Sequence, residues 1–360
     1  MTDSRLEPRT RHLSEYRFVL IGSLVALAVT SIPYLRGAAL ATNERIFGGF
    51  VYAVEDCYSY LAKMRQGAEG AWLFHIPYTP EPHPGALIYP FYLLLGKVAP
   101  LLPMRNPTSG LVWIYHIARW VFGLGLLLTV YRFLSTFTRR VIVRRLAWLT
   151  VTFGGGLGWL LIALGHSSWL GSMPLDFILP EGFTFLVLYA FPHIALGRTL
   201  LLWGLLSLTK AWRLDQSSSD PQNANPSFPP AFAIRRAVLA GLLWLLMGLI
   251  VPFYVAVSWA VLGASWIVLA LRRRRPSWDK AALAGAAALV SAPPVLYSAW
   301  RFTSHPVYEA WASQNQIFSP HPFHYLAAYG VPLTLAAFAI EEVWRSKRDA
   351  WLLLTWVGVV

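Results

Sequence analysis

The sequence predicts an all-α fold, a polytopic transmembrane bundle of about eight to nine spans, on three observations. Of 360 residues, 56% are apolar and only 13% are charged. A soluble domain carries about 25% charge, and this chain has too little to cover a water-facing surface. The second observation is the recurrence of long uncharged apolar runs, with mean hydropathy +0.49 overall. The third is that arginine clusters flank these runs, as the positive-inside rule expects of cytoplasmic loops.

A bilayer core takes roughly 20 helical residues, and residues 18–35 supply the first span behind a basic tail. Ala39 and Ala41 resemble a cleavage site, but the apolar run exceeds the 7–15 residues or so of a signal peptide, so the helix is read as uncleaved. A first outer loop follows over 36–110. Within it a short helix is expected after Glu55 and Asp56, because Tyr60, Met64 and Gly67 share a helical stripe. The stretch 86–102 is long enough to span, yet counting it would put the Arg139–Arg145 cluster outside. Pro90, Lys97 and Pro100 fit a helix lying on the outer surface, and that reading is adopted.

Further spans are expected at 111–134, 146–164, 183–208, 281–300 and 323–340. Between Arg236 and Arg272 lie 35 uncharged residues. One helix of that length would reach about 50 Å, too long for the membrane. Both flanks are basic, so the segment reads as two helices turning near Val251, Pro252 and Phe253. Smaller outer loops fall at 166–182 and 301–322. The cytoplasmic loop 209–236 contains a Ser/Asn/Pro-rich stretch, 216–230, expected to be a disordered tether. The last apolar run, 351–360, is half a membrane thick, so the sequence is expected to be truncated. The chain is therefore read as one transmembrane domain over 1–360, multi-pass in the plasma membrane, with a cytoplasmic N-terminus.

These patterns exclude several functions. The net charge of +13 does not imply nucleic acid, because no basic run sits on a soluble domain able to dock a duplex. Cys57 is the only cysteine, so no intrachain disulfide and no Cys/His zinc spacing exists. Gly154, Gly155 and Gly156 lie inside a span rather than between a strand and a helix. They read as close helix packing, not as a phosphate loop.

The chemistry-bearing residues collect outside the spans. Transporters bury coupling carboxylates near the midplane, and none is evident here. Glu44, Glu55, Asp56, Glu69, Glu81, Asp176, Glu181 and Glu309 instead fall on the outer side of the expected topology. Glu55 and Asp56 are adjacent carboxylates at a helix mouth, where mutual repulsion raises one pKa and the helix dipole lowers it. An ionised member of such a pair is suited to take a proton from a hydroxyl or to help hold a divalent metal. An ordinary acidic helix start is the plain alternative. Farther on, Pro180 and Pro192 interrupt an apolar stretch and free backbone groups, which is tolerated only within protein or against a cavity. Glu181 and His193 are thereby candidates for facing an outer cavity, or else a helix cap and a core histidine.

The order of features around the acidic pair carries a family likeness. After Glu55 and Asp56 come Tyr58 and Tyr60, a Gly70-Ala71-Trp72 turn and the run Tyr78 to Pro84 with Glu81 and His83. The Tyr89 to Leu93 segment, Gly96-Lys97, and His116 with Arg119 at the next span follow. Over residues 15–165 this order resembles the GT-C superfamily of membrane glycosyltransferases, in its protein O-mannosyltransferase and aminoarabinose-transferase branch. The resemblance implies a polyprenyl-phosphate-linked sugar donor among membrane lipids, an inverting transfer on the outer face, and Asp56 or Glu55 as the base. Glu-Pro-His-Pro stands where many relatives have Lys-Pro-Pro, so a phosphate-binding cation would have to come from Lys97 or Arg119. Tyr60, His83, Glu181 and His193 complete the expected substrate-binding set, and Asp56, Glu181 and His193 are the candidates for a metal. A transporter or lipid flippase is the alternative function, and a non-catalytic assembly protein a third.

Overall fold

The computed structural model describes residues 6–101, 107–217, 230–316, 318–345 and 351–359. Residues 218–229, most of the stretch expected to be a disordered tether, lie outside the described residues. The described chain is all-helical: α1 (Leu6–Ala39), α2 (Val54–Ala68), α3 (Pro90–Gly96), α4 (Pro107–Leu134), α5 (Val141–Phe153), α6 (Gly158–Ala163), α7 (Leu175–Ile178) and α8 (Thr184–Ala190) come first. They are followed by α9 (Pro192–Ser217), α10 (Ala231–Ile250), α11 (Pro252–Arg273), α12 (Trp278–Ser304), α13 (Pro306–Gln314), α14 (Pro322–Arg345) and α15 (Trp351–Val359). Among the described residues, seven segments are long and apolar enough to cross a membrane, in α1, α4, α9, α10, α11, α12 and α14. The protein is a multi-pass integral membrane protein by that measure.

Seven is fewer than the eight to nine expected, and the difference has physical causes. The expected span 146–164 is broken. α5 stops at Phe153, Gly154 takes an extended conformation, and the chain resumes only as the six-residue α6. At Gly156 the backbone lies directly against the Ala327 and Ala328 carbonyls of α14, where any Cβ would collide. The Leu157 N–H leaves the helical ladder and donates to Ala327 O at 2.8 Å. The close packing expected of the glycines is present, but it interrupts the helix. The expected span 183–208 also breaks, at Phe191, and its long helix begins at Pro192. α15 is nine residues long, too short to cross.

The uncharged stretch turns at Val251 into α10 and α11, with Pro252 at the first turn of α11, where its missing N–H is harmless. Of the stretch 86–102, the described residues 86–101 form α3 and a short 3₁₀ turn (Ala99–Leu101), each too short to cross.

The chain divides into two compact units. The first comprises residues 1–69, 95–196 and 319–337; the second comprises 70–94, 197–318 and 338–360. In the first, α1, α4, α5 and α8 pack on one another and α2 packs on α4. Trp148 of α5 is fully buried, lies over Gly22 of α1 and donates from Nε1 to Leu127 O of α4 at 2.9 Å. Near the arginine-rich end, buried Glu15 pairs with Arg144 at 2.7 Å and accepts from the Tyr131 hydroxyl at 2.6 Å. The pair is nearly dry, so its partners and not its Coulomb energy alone make it tolerable. In the second unit α10 and α12 form the main contact, flanked by α11, α13 and α15. Tyr308 of α13 and Arg301 of α12 hold the segment around Phe74 to Ala86 through the Pro84 carbonyl, at 2.9 and 2.7 Å.

Candidate functional site

α2 begins in an unusual way. Ala53, at its N-cap, adopts a left-handed backbone with φ 45°, which a residue bearing a Cβ resists. The conformation is held from beneath. Buried Cys57 sits within 3.6 Å of Tyr52 O and 3.7 Å of the Tyr115 hydroxyl, which donates to Ala190 O at 2.7 Å. Burial pushes the Cys57 thiol up to about 12, so it serves as a small packed anchor and not as a thiolate. Cys57, Leu61, Met64 and Gly67 form the buried stripe of α2, and Glu55 and Asp56 occupy its first turn. The helix thus includes the acidic pair that the sequence placed before it.

Asp56, Tyr60 and Lys63 recur at spacings of four and three, so they share one face of α2. Asp56 reaches solvent but is partly desolvated. That desolvation holds its carboxyl above the ordinary carboxylate range, against the pull of the Lys63 ammonium and with some help from Glu55. Lys63 is only 5% exposed. It donates to the Ser59 hydroxyl at 2.6 Å and to Ser59 O at 3.3 Å, and its Nζ lies 5.2 Å from the Tyr60 ring centroid. Burial lowers Lys63 to about 8, with the Asp56 charge opposing. Sequence reasoning did not select this lysine. Its signal was its place seven residues after Asp56, on a face otherwise made of aromatic and small residues.

Two more candidates join this face. The His193 ring, at the start of α9, packs tilted against Tyr60 with centroids 4.9 Å apart and lies within electrostatic reach of Lys63. Glu181 acts with Asp56 on Tyr52: burial first, then these two carboxylates, pushes the Tyr52 phenol up to about 12. Tyr52 in turn packs edge-on against Tyr189 and Phe191, at 5.6 and 6.1 Å. Asp56, Tyr60, Glu181 and His193 therefore share one neighbourhood with Lys63 and Tyr52. Among the described residues, no group of three or more His, Cys, Asp or Glu side chains is placed to hold a metal ion.

The remaining candidates fall elsewhere. Arg119 is 2% exposed and engaged with protein groups. Pro192 has no N–H to donate to Leu188 O, and Arg119 Nη1 supplies that bond at 3.0 Å. The next two carbonyls at the end of α8 are taken likewise, Tyr189 O by the Tyr34 hydroxyl at 2.6 Å and Ala190 O by Tyr115. Arg119 also donates to Thr30 and Ser31 of α1 at 3.2 and 2.7 Å and lies over the Tyr34 ring. A cation at a helix C-terminus is favoured by the dipole as well. The expectation of a phosphate-binding cation did not anticipate this role.

Glu55 is exposed beside Asp56. Lys97 is half-buried and follows Gly96, whose Cα lies directly on the Met64 carbonyl of α2. His83 belongs to the second unit, where both ring nitrogens engage its own loop. Nε2 accepts from Ile76 N at 3.0 Å, and Nδ1 lies 2.8 Å from Glu81 O. Asp176, expected only as one of the outer carboxylates, accepts from Gly156 N and Gly158 N at 2.9 and 3.1 Å and shapes the broken helix.

Comparison of the chain with known protein families, curated proteins and solved structures finds no match.

Proposed function

We propose that this protein is a membrane glycosyltransferase of GT-C type, moving a sugar from a polyprenyl-phosphate-linked donor to an acceptor hydroxyl on the outer face. The observation that carries the reading is the face of α2, where a partly desolvated carboxylate and a buried lysine flank an aromatic ring. A carboxyl held above its ordinary range is a stronger base than a solvated one. In the proposed step Asp56 takes the acceptor proton as the acceptor oxygen bonds to the anomeric carbon. The bond from that carbon to the phosphate oxygen breaks on the opposite side, and the lipid phosphate leaves with the electron pair. Negative charge grows on the leaving phosphate, and a preorganised cation lowers that barrier. Lys63 takes this role in place of Arg119, whose Nη1 and Nη2 already serve Leu188 O and the Thr30 and Ser31 hydroxyls of α1. Tyr60 and His193 offer ring faces to the sugar.

The reading takes the N-terminus as cytoplasmic and the acidic face of α2 as outside, in the plasma membrane; the arginine clusters support that orientation through the positive-inside rule. The test is transfer of labelled sugar from a panel of polyprenyl-phosphate sugars in membranes holding the protein. Label appearing in an acceptor supports the reading, and no transfer from any donor contradicts it. A transporter or lipid flippase is the second reading, motivated by the two interrupted helices at Gly154–Gly156 and Phe191–Pro192. Substrate movement in proteoliposomes without covalent transfer would favour it.

A further inference from the structure

Within the second unit, α10, α11, α12 and the segment at Leu87 to Tyr89 enclose a cavity of about 340 Å³. Its wall carries no charged residue. Gly248 and Ile250 of α10, Pro252 of α11 and Pro293, Tyr297 and Ser298 of α12 are among those lining it, and with Tyr89 it has three hydroxyl-bearing residues in an otherwise apolar wall. The Tyr297 hydroxyl accepts from Leu87 N at 2.8 Å, which fixes the segment that closes one side. The three lining prolines, Pro252, Pro293 and Pro294, restrict the backbone around the opening, and Gly248 lets α10 approach Pro294 closely.

An apolar cavity of this size does not hold water well, because water needs two to four polar partners. It is built by three helices long and apolar enough to cross a membrane, so the medium beside it is hydrocarbon. It sits at the Val251 turn, whereas Arg235, Arg236 and the Arg272–Arg275 run mark the opposite ends of α10 and α11. By the positive-inside rule it faces the outer leaflet. A charged headgroup finds no partner in it, while one hydrocarbon chain does.

We propose that this cavity is a resident-lipid site, holding the end of one acyl chain of an outer-leaflet phospholipid. The site does not depend on the transfer reading, and its test reads labelling instead of activity. The full chain is reconstituted in phosphatidylethanolamine and phosphatidylglycerol vesicles containing a phosphatidylglycerol with a diazirine near one chain terminus. It is then irradiated, and the adducts are mapped by peptide mass spectrometry. Adducts are expected on Leu245, Gly248 and Ser298. Leu245→Trp fills the cavity from α10 and Ser298→Phe from α12; each is expected to abolish those adducts. Leu242→Trp, on an exposed part of α10, is expected to keep them. Loss in either filling variant with retention in Leu242→Trp supports the site, which covers the case in which one filling variant does not fold. Adducts unchanged in both filling variants, or absent from the native protein, overturn the proposal. So does displacement of the adducts by equimolar polyprenyl phosphate, which would make the cavity a place for the isoprenoid chain instead.

Discussion

At the residue scale the account rests on Asp56 and Lys63, and both make pH-dependent predictions. The base must be ionised, so transfer falls as pH drops through an Asp56 pKa that lies above the ordinary carboxylate range. The cation must be protonated, so transfer also falls as pH rises through about 8. A bell-shaped rate profile with its alkaline limb near that value is expected. Lys63→Arg keeps the charge to far higher pH and should remove the alkaline limb while leaving the acid limb in place. An unshifted alkaline limb in that variant would dissociate Lys63 from the chemistry. Asp56 was legible from sequence as one of an acidic pair, but which member matters was not. The distinction comes from desolvation and from the lysine two helical turns away, neither of which a dipeptide encodes.

At the scale of elements the broken helices are the informative feature. Pro192 was readable as a breaker, yet the three carbonyls at the end of α8 find donors 69 to 155 residues away in sequence. Arg119, expected from sequence as a ligand-binding cation, forms a clasp between α1, α4 and α8. Arg119→Leu is expected to lower stability by roughly 2–5 kcal/mol, because buried carbonyl and hydroxyl groups lose their partner. Thermal unfolding in detergent reads that loss, and an unchanged midpoint would contradict the clasp. Gly156→Ala places a Cβ against two backbone carbonyls that cannot rotate away. It should cost about 1–3 kcal/mol, whereas alanine at Gly165, where nothing lies within reach, meets only its positive φ. The glycine run was legible as close packing. That its partner is α14, far along the chain, was not.

At the scale of the whole molecule, apolar length and arginine placement were enough to read the fold class and most of the spans. They misplaced two spans because a run of hydrophobic residues does not record where tertiary contacts replace the helical ladder. The topology is open to direct measurement. Cys57 is buried, so the native protein supplies a low background for cysteine accessibility. Cysteines introduced at Glu44 and His166 should react with an impermeant maleimide added outside intact cells. Those at Arg140 and Arg274 should react only after the membrane is opened, and the reverse pattern would invert the proposed orientation. The most direct test of the central claim compares sugar transfer by the native protein, Asp56→Asn and Glu55→Gln at equal membrane abundance. The account predicts a loss of roughly 10²–10⁴-fold in Asp56→Asn, with Glu55→Gln close to native. Transfer undiminished in Asp56→Asn would contradict it.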